Sequence, residues 1–310
     1  DIILISAMVR NGAELVRWLE TVTEKTAKVL DLAWKPTRQV RGVVAYEASE
    51  ISPLNAELQR RKAARGGRNP RKADRKDISA TPVGLFCHTQ VWNTTSTFAK
   101  FPLLSESVPL GVNRYWDLSA NRNEIGGKLL GAMARAGMRP IVFSQRIDWA
   151  HQIAKEGTNS LEQVGVPPIT LLQQEKDLFA ATALELGNAN LVELPAGKRI
   201  GIHHGLLLLS ERLAMESAFR RPDGLLALVA TPTVTQGINL PAEAVIIAGD
   251  DRWEEDGPEM LAVHELLNAA GRAGRAGHYA HGIVIDLPGK VFSVSQDNNG
   301  ISFNDLQHVL

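Results

Sequence analysis

Apolar and polar positions fall into blocks along the chain. Continuous apolar runs, the pattern of strands buried on both faces, lie at 2–5, 141–143, 225–229, 245–248 and 283–285. Runs at 29–32, 40–46 and 83–92 also predict strands. Helical spacing joins Ala13, Leu15, Val16, Trp18 and Leu19, with Asn11 placed to cap them. Further helices are predicted over 126–136, closed by Gly137 and Pro140, over 148–155, and over 169–186. The last carries a polar strip of Gln173, Gln174, Lys176 and Asp177. Ser210 is placed to cap a helix through Leu213, Met215 and Phe219, and 259–270 completes the set. Strands alternating with helices predict an α/β fold with a mostly parallel, doubly wound sheet. Ligands of such sheets sit at the carboxyl ends of the strands, which is where chemistry is expected. No repeat of fixed period interrupts this order.

Composition narrows the function classes. With 310 residues, two compact units are expected. Lys and Arg total 34 and Asp and Glu total 34, so the chain is not a uniformly basic coat for nucleic acid. Cys87 is the only cysteine, which excludes an internal disulfide and a Cys-rich zinc site and fits a reducing compartment. No apolar run approaches the roughly 18 residues of a membrane span, and no signal peptide is evident. An intracellular protein is expected, cytoplasmic or, in a eukaryote, nuclear, with no membrane partner. The chain begins at Asp1 and enters an apolar run at once, so a piece of a longer polypeptide is expected.

The balanced charge conceals a local excess. Between Gln59 and Lys76 stand Arg60, Arg61, Lys62, Arg65, Arg68, Arg71, Lys72, Arg75 and Lys76, against one acid, Asp74. Without that segment the chain holds 25 basic and 33 acidic residues. With Gly66, Gly67 and Pro70 it reads as a flexible basic loop. It serves either as a solvated linker or as an arm on a nucleic-acid backbone, whose binding would be strongly salt-dependent.

Several segments carry candidate chemistry. Arg272 and Arg275 stand three apart among glycines at the end of a predicted helix. If that helix continues, both guanidiniums share a face and can address one anion, for which their planar donor forks suit them. The alternative is a Gly-rich turn with two solvated arginines. The spacing is not the dinucleotide GxGxxG. The strand at 225–229 delivers Thr231 to its carboxyl end, followed by a loop with Gly237 and Asn239. His203-His204 invites a metal reading, but neighbours on a strand face opposite ways and no familiar zinc spacing accompanies them. Packing or backbone contact is the better account, and no metal site is assigned. Ser6-Ala7-Met8 and 141–146, ending in Ser144 and Arg146, each follow a strand.

In order, these segments resemble the superfamily 2 helicases, in the DExH-type branch of exosome-associated RNA helicases and archaeal repair helicases. Ser6-Ala7-Met8 resembles motif III and 141–146 motif IV. His203-His204-Gly205 with Glu211-Arg212 resembles the element before motif V in that branch. Residues 231–242, with Gly237, Asn239, Leu240 and Pro241, resemble motif V, and 268–275 resembles motif VI. Five ordered motifs over most of the chain are specific where single ones are weak. Residues 47–120 match no part of the family and read as an insertion.

The resemblance implies two RecA-like domains that clamp ATP and are crossed by single-stranded DNA or RNA. This chain would hold the end of the first domain at 1–33, a connecting strand at 34–46, a basic linker or insertion at 47–120, and the second RecA-like domain at 121–310. Arg272 and Arg275 would face the ATP phosphates, Arg275 as arginine finger. Gly237, Asn239 and Gly271 would lie near the nucleotide. Ser144, Arg146, Thr231 and Thr233 would hold backbone phosphates, and Ser6 would couple the domains. The rest of the helicase chain is an implied partner, and a separate protein partner is open. Met8 stands where the family has Thr, and Asn268 where it has Gln. The P-loop and DExH box, which hold ATP and Mg²⁺, are absent, and Gly126-Gly127-Lys128 does not replace them. These 310 residues alone are therefore expected not to hydrolyse ATP. A pseudo-helicase that binds nucleic acid without hydrolysis is the alternative.

Overall fold

The computed structural model describes residues 11–30, 38–87, 98–195, 199–231, 240, 242–249, 251–254, 257–261, 263–274 and 281–295. The strand expected at 2–5, Ser6, Met8, Thr233, Gly237, Asn239 and Arg275 lie outside them. The chain divides into two compact units, 1–36 and 37–310. In the first, α1 (Gly12–Thr23) follows Asn11. Asn11 does not cap through its side chain as expected; its amide donates to the Glu14 carboxylate at 3.2 Å.

The second unit carries the other elements. They begin with β1 (Arg38–Glu47), α2 (Ala48–Ala64), β2 (Ser79–Ala80), β3 (Pro82–Cys87), β4 (Phe98–Pro102), β5 (Val108–Pro109), β6 (Gly111–Val112) and β7 (Leu118–Ser119). Next come α3 (Arg122–Arg135), β8 (Pro140–Ser144), α4 (Ile147–Glu162), α5 (Gln173–Leu186), β9 (Ile200–His203), α6 (Leu209–Arg220) and β10 (Ala227–Ala230). The order closes with β11 (Ala244–Ala248), β12 (Asp251–Glu254), β13 (Gly257–Met260), α7 (Val263–Ala270), β14 (His281–Asp286) and β15 (Ser293–Val294).

The main sheet runs β4-β3-β1-β14-β11-β8-β10-β9, with β15 beside β1. From β1 to β9 every pairing is parallel, while β3 and β4 add an antiparallel edge. Successive side chains on a strand point to opposite faces. Val142, Val229, Ile246 and Ile285 pack with Ile125, Leu129 and Ile153 of α3 and α4 on one face. Ile141, Phe143, Val245 and Ile247 pack with Phe179, Met215, Phe219 and Ala269 of α5, α6 and α7 on the other. Helices on both faces are why these strands read as unbroken apolar runs.

Several sequence expectations change. The basic segment is not a flexible loop. Ile51, Leu54 and Leu58, spaced as one helical stripe, anchor α2 to the core, and the helix carries Arg60, Arg61 and Lys62 on its last turns. Beyond it, Arg65 pairs with Asp74 at 3.4 Å, and the indole of buried Trp116 donates to the Arg68 carbonyl at 2.9 Å. The strand expected at 40–46, within the connecting strand at 34–46, lies in β1, an internal strand of the sheet, and 82–87 and 98–102 extend that sheet. Ser210 does not cap α6; Glu211 does, accepting from the Leu208 N–H at 2.8 Å, while Ser210 pairs with Thr182 at 2.6 Å. Residues 259–260, read as the start of a helix, belong instead to β13 (Gly257–Met260).

Gly127, weighed as a fragment of a phosphate loop, has a packing role. A Cβ there would lie 2.7 Å from the Ile153 carbonyl and 3.1 Å from the Gly157 nitrogen, so the glycine lets α3 and α4 touch backbone to backbone.

Candidate functional site

Parallel pairing brings three strand ends into one rank. Phe143 of β8 stands level with Ala230 of β10, which stands level with His203 of β9. The next residues, Ser144, Thr231 and His204, therefore end three adjacent strands side by side at the carboxyl edge. The Thr231 N–H donates to the His203 carbonyl at 3.1 Å, extending the ladder by one step. All three side chains are buried. The Ser144 hydroxyl donates to the Arg146 carbonyl at 3.3 Å, which turns the chain out of β8 into α4.

Arg146 is the exposed cation of this edge. It is bidentate to Asp148, at 2.9 and 3.0 Å, and its guanidinium lies 5.2 Å from the Trp149 ring centroid. The Asp148 hydrogen bonds hold its pKa above the usual arginine value. Arg122 approaches Trp149 too, at 5.5 Å, and is bonded to Asp251. An exposed ion pair contributes little to stability, so Arg146 can exchange its carboxylate for a phosphate at small cost. Behind the edge, burial lowers the pKa of His203, helped by Arg212 and His204 and opposed by Glu216, whose carboxylate is 3.5 Å away. Burial also lowers that of His204, with His151 acting in the same direction.

The glycine and arginine segment lies at the opposite edge. A helix joining parallel strands runs antiparallel to them, so α7 delivers its last residues to the amino ends. The helix stops at Ala270 and does not carry two arginines on one face; Arg275 is outside the described residues. Ala273 bridges Ala242 just ahead of β11, and the Gly274 N–H donates to the Ala242 carbonyl at 2.9 Å. Gly274 has φ of +67°, and its backbone runs against Gly282 of β14. The Gln39 amide, near the start of β1, donates to the carbonyls of Ala270 and Ala273, both at 2.8 Å. It ties off the helix end and sets the turn that presents exposed Gly271 and half-exposed Arg272.

Of the expected residues, Ser144, Arg146 and Thr231 are gathered at the carboxyl edge, whereas Gly271 and Arg272 stand at the amino edge. Gln39 carried no sequence signal, since its partners are more than 230 residues away. His151 and Glu193 carried none either, yet they are the residues that meet His204. Among the described residues these three form a group able to hold a metal ion. Its two imidazoles do not suit Mg²⁺, which prefers oxygen ligands.

Comparison with known proteins defines the class. Residues 169–277 match the helicase conserved C-terminal domain. The matches support a resemblance of this chain to the C-terminal half of superfamily 2 helicases. In particular, it is similar to the ATP-dependent DNA helicase Hel308 of Pyrobaculum calidifontis, 30% identical over 188 residues, which are 59% of this chain and 26% of that protein. Hel308 of Methanococcus vannielii is 21% identical over 293 residues, 92% of this chain and 30% of that protein. The mouse exosome RNA helicase MTR4 is 40% identical over 94 residues, 30% of this chain and 9% of that protein. The chain thus spans less than a third of the length of these relatives. Among the described residues no helix is long and apolar enough to cross a membrane.

Proposed function

We propose that this chain is the second motor domain of an ATP-dependent nucleic-acid helicase or translocase. The observation that carries the reading is the rank of strand ends Ser144, Thr231 and His204 beside exposed Arg146, with the Arg272 turn at the other edge of the same sheet. The carboxyl edge takes the backbone of a single strand. Arg146 meets a phosphate directly, Ser144 and Thr231 set the backbone that meets it, and Thr233 continues the track. The exposed cations Arg68, Arg71, Lys72 and Lys76 add sequence-independent attraction.

At the amino edge, Arg272 faces the ATP phosphates with Gly271 near the nucleotide; by the motif resemblance Arg275, Gly237 and Asn239, which lie outside the described residues, serve the same nucleotide. Arg275 acts as the finger that neutralises charge developing on the transferred phosphoryl group. ATP and Mg²⁺ are held mainly by the first domain, of which this chain keeps only the end, and Ser6 couples the two. Coupling then follows from placement. The helix α7 and the strands it joins connect the two edges, so a shift of the arginine turn on hydrolysis moves the strand track as one body.

The test is ATP turnover by the full-length polypeptide, with and without single-stranded DNA or RNA, beside its Arg275→Ala variant. Strand-stimulated turnover that collapses at least a hundredfold in the variant is expected, from the known worth of such fingers. The better stimulant identifies the track. Strand binding without turnover would replace this reading with the pseudo-helicase. Turnover by residues 1–310 alone would refute the division of labour.

A further inference from the structure

The geometry points to a divalent transition-metal site, of the zinc class, formed by His151, Glu193 and His204. The three come from α4, from the segment leading into β9, and from the end of β9. One ligand atom from each lies within 4.8 Å of the other two. His151 Nε2 and Glu193 Oε2 are 3.1 Å apart, close to the separation of two ligands on one tetrahedral zinc ion. The His151 and His204 rings are stacked, with centroids 6.1 Å apart and planes inclined by 29°.

Two features distinguish this group from an ordinary ion pair. Both nitrogens of His151 face oxygen: Nδ1 lies 3.4 Å from the Ile147 carbonyl and Nε2 faces Glu193. A neutral ring can donate to only one of them. With Nε2–H on Glu193 the pair is an ordinary hydrogen bond; with Nδ1–H on the carbonyl, Nε2 turns its lone pair toward the carboxylate, an arrangement that a cation between them satisfies and that gives a metal-bound imidazole its usual support. The other feature is His204 itself. It is 7% exposed, and its Nδ1 has no hydrogen-bond partner among the described residues.

The surroundings are built to hold the set. The buried Glu211 carboxylate accepts from the Glu193 N–H at 2.9 Å and from the Leu208 N–H at 2.8 Å, which fixes the backbone of the carboxylate ligand. His204 is fixed by the β9 ladder and stands level with Thr231. Three protein ligands leave a fourth position for water. A bound ion would fasten α4 and the segment at 193 to the end of β9. Two imidazoles and one carboxylate favour zinc, cobalt, nickel or copper over magnesium or calcium.

Untagged protein titrated with Co²⁺ alone tests this. One equivalent should produce the visible bands of a low-symmetry nitrogen and oxygen site, without a thiolate charge-transfer band, and Zn²⁺ should abolish them. His151→Ala and Glu193→Gln alter exposed or half-exposed side chains and should each weaken Co²⁺ binding at least tenfold, while His281→Ala should bind as the parent does. His204→Ala should abolish binding, and the first two variants decide the matter if it does not fold. Glu211→Gln should weaken binding less than Glu193→Gln. A parent protein without Co²⁺ bands, or His151→Ala and Glu193→Gln variants that titrate like the parent, would overturn the site.

Discussion

Gln39 and Ala273 are 234 positions apart in sequence, yet the Gln39 amide donates to the Ala273 carbonyl at 2.8 Å. The same amide nitrogen reaches the Ala270 carbonyl. One side chain at the start of β1 thereby closes α7 and holds the turn that carries Arg272. Gln39→Ala leaves two carbonyls of buried residues without that donor. It should cost about 1–2 kcal/mol of stability, read as a lower urea midpoint with an unchanged slope. In the full-length polypeptide the variant should lose more strand-stimulated ATP turnover than strand affinity, since the proposed strand track lies at the other edge. Equal losses of both would count against the two-edge arrangement.

Gly282 tests the same turn from the other side. A Cβ there would sit 2.5 Å from the Ala273 carbonyl carbon and from the Gly274 nitrogen. Backbone cannot move aside as a flexible side chain can. Gly282→Ala should therefore destabilise by about 2 kcal/mol or more, visible as a lower melting temperature. Gly137→Ala provides contrast. A Cβ there would meet nothing within 4 Å, so its cost should come from the positive φ of +83° alone.

Glu175 is fully buried and meets the Arg221 guanidinium through both carboxylate oxygens, at 2.9 and 3.0 Å. It also accepts from the Leu172 N–H, starting α5, and from Ser217 of α6. Glu175→Ala should cost about 3 kcal/mol, because it leaves a largely buried guanidinium short of its partner and α5 without its cap. Replacing both residues with Met should recover part of that loss. A double mutant no more stable than Glu175→Ala would show that the cap, not the ion pair, dominates.

Tyr46 gives the pH prediction. Its side chain is buried in the core, and its hydroxyl has no partner among the described residues. Burial raises its pKa well above the usual phenol value. The folded state then retains a proton that the unfolded chain releases near pH 10. Its stability contribution is complete below pH 10 and falls as pH rises above it, by about 1.4 kcal/mol per unit of pH until the folded value is reached. Tyr46→Phe should remove this alkaline loss and, at neutral pH, leave stability unchanged or raise it by about 1 kcal/mol. Melting curves at pH 8 and pH 11 for both proteins would decide it.

The core strands were legible because a strand buried on both faces must be apolar at every position, which no other part of the chain requires. Residues 141–143, 227–230, 244–248 and 283–285 follow that rule. The basic segment was misread because its cations outnumber the three apolar residues that make α2 a packed helix. Arg65 and Arg68 are then tied to Asp74 and Trp116 by contacts that no local pattern announces.

The sequence by itself determined the α/β order, the strand ends at Ser144 and Thr231, and the ordered motifs that mark a superfamily 2 helicase half. Each of these is local, written in runs of a few residues. Only the tertiary structure decided that Ser144, Thr231 and His204 form one rank, that Arg272 stands at the opposite edge, and that Gln39, His151 and Glu193 belong to these sites. The physical reason is the crossover connection. Each parallel strand returns to the sheet after an intervening helix, so neighbours across the sheet are dozens to hundreds of residues apart, and their meeting depends on register rather than on any residue's immediate surroundings.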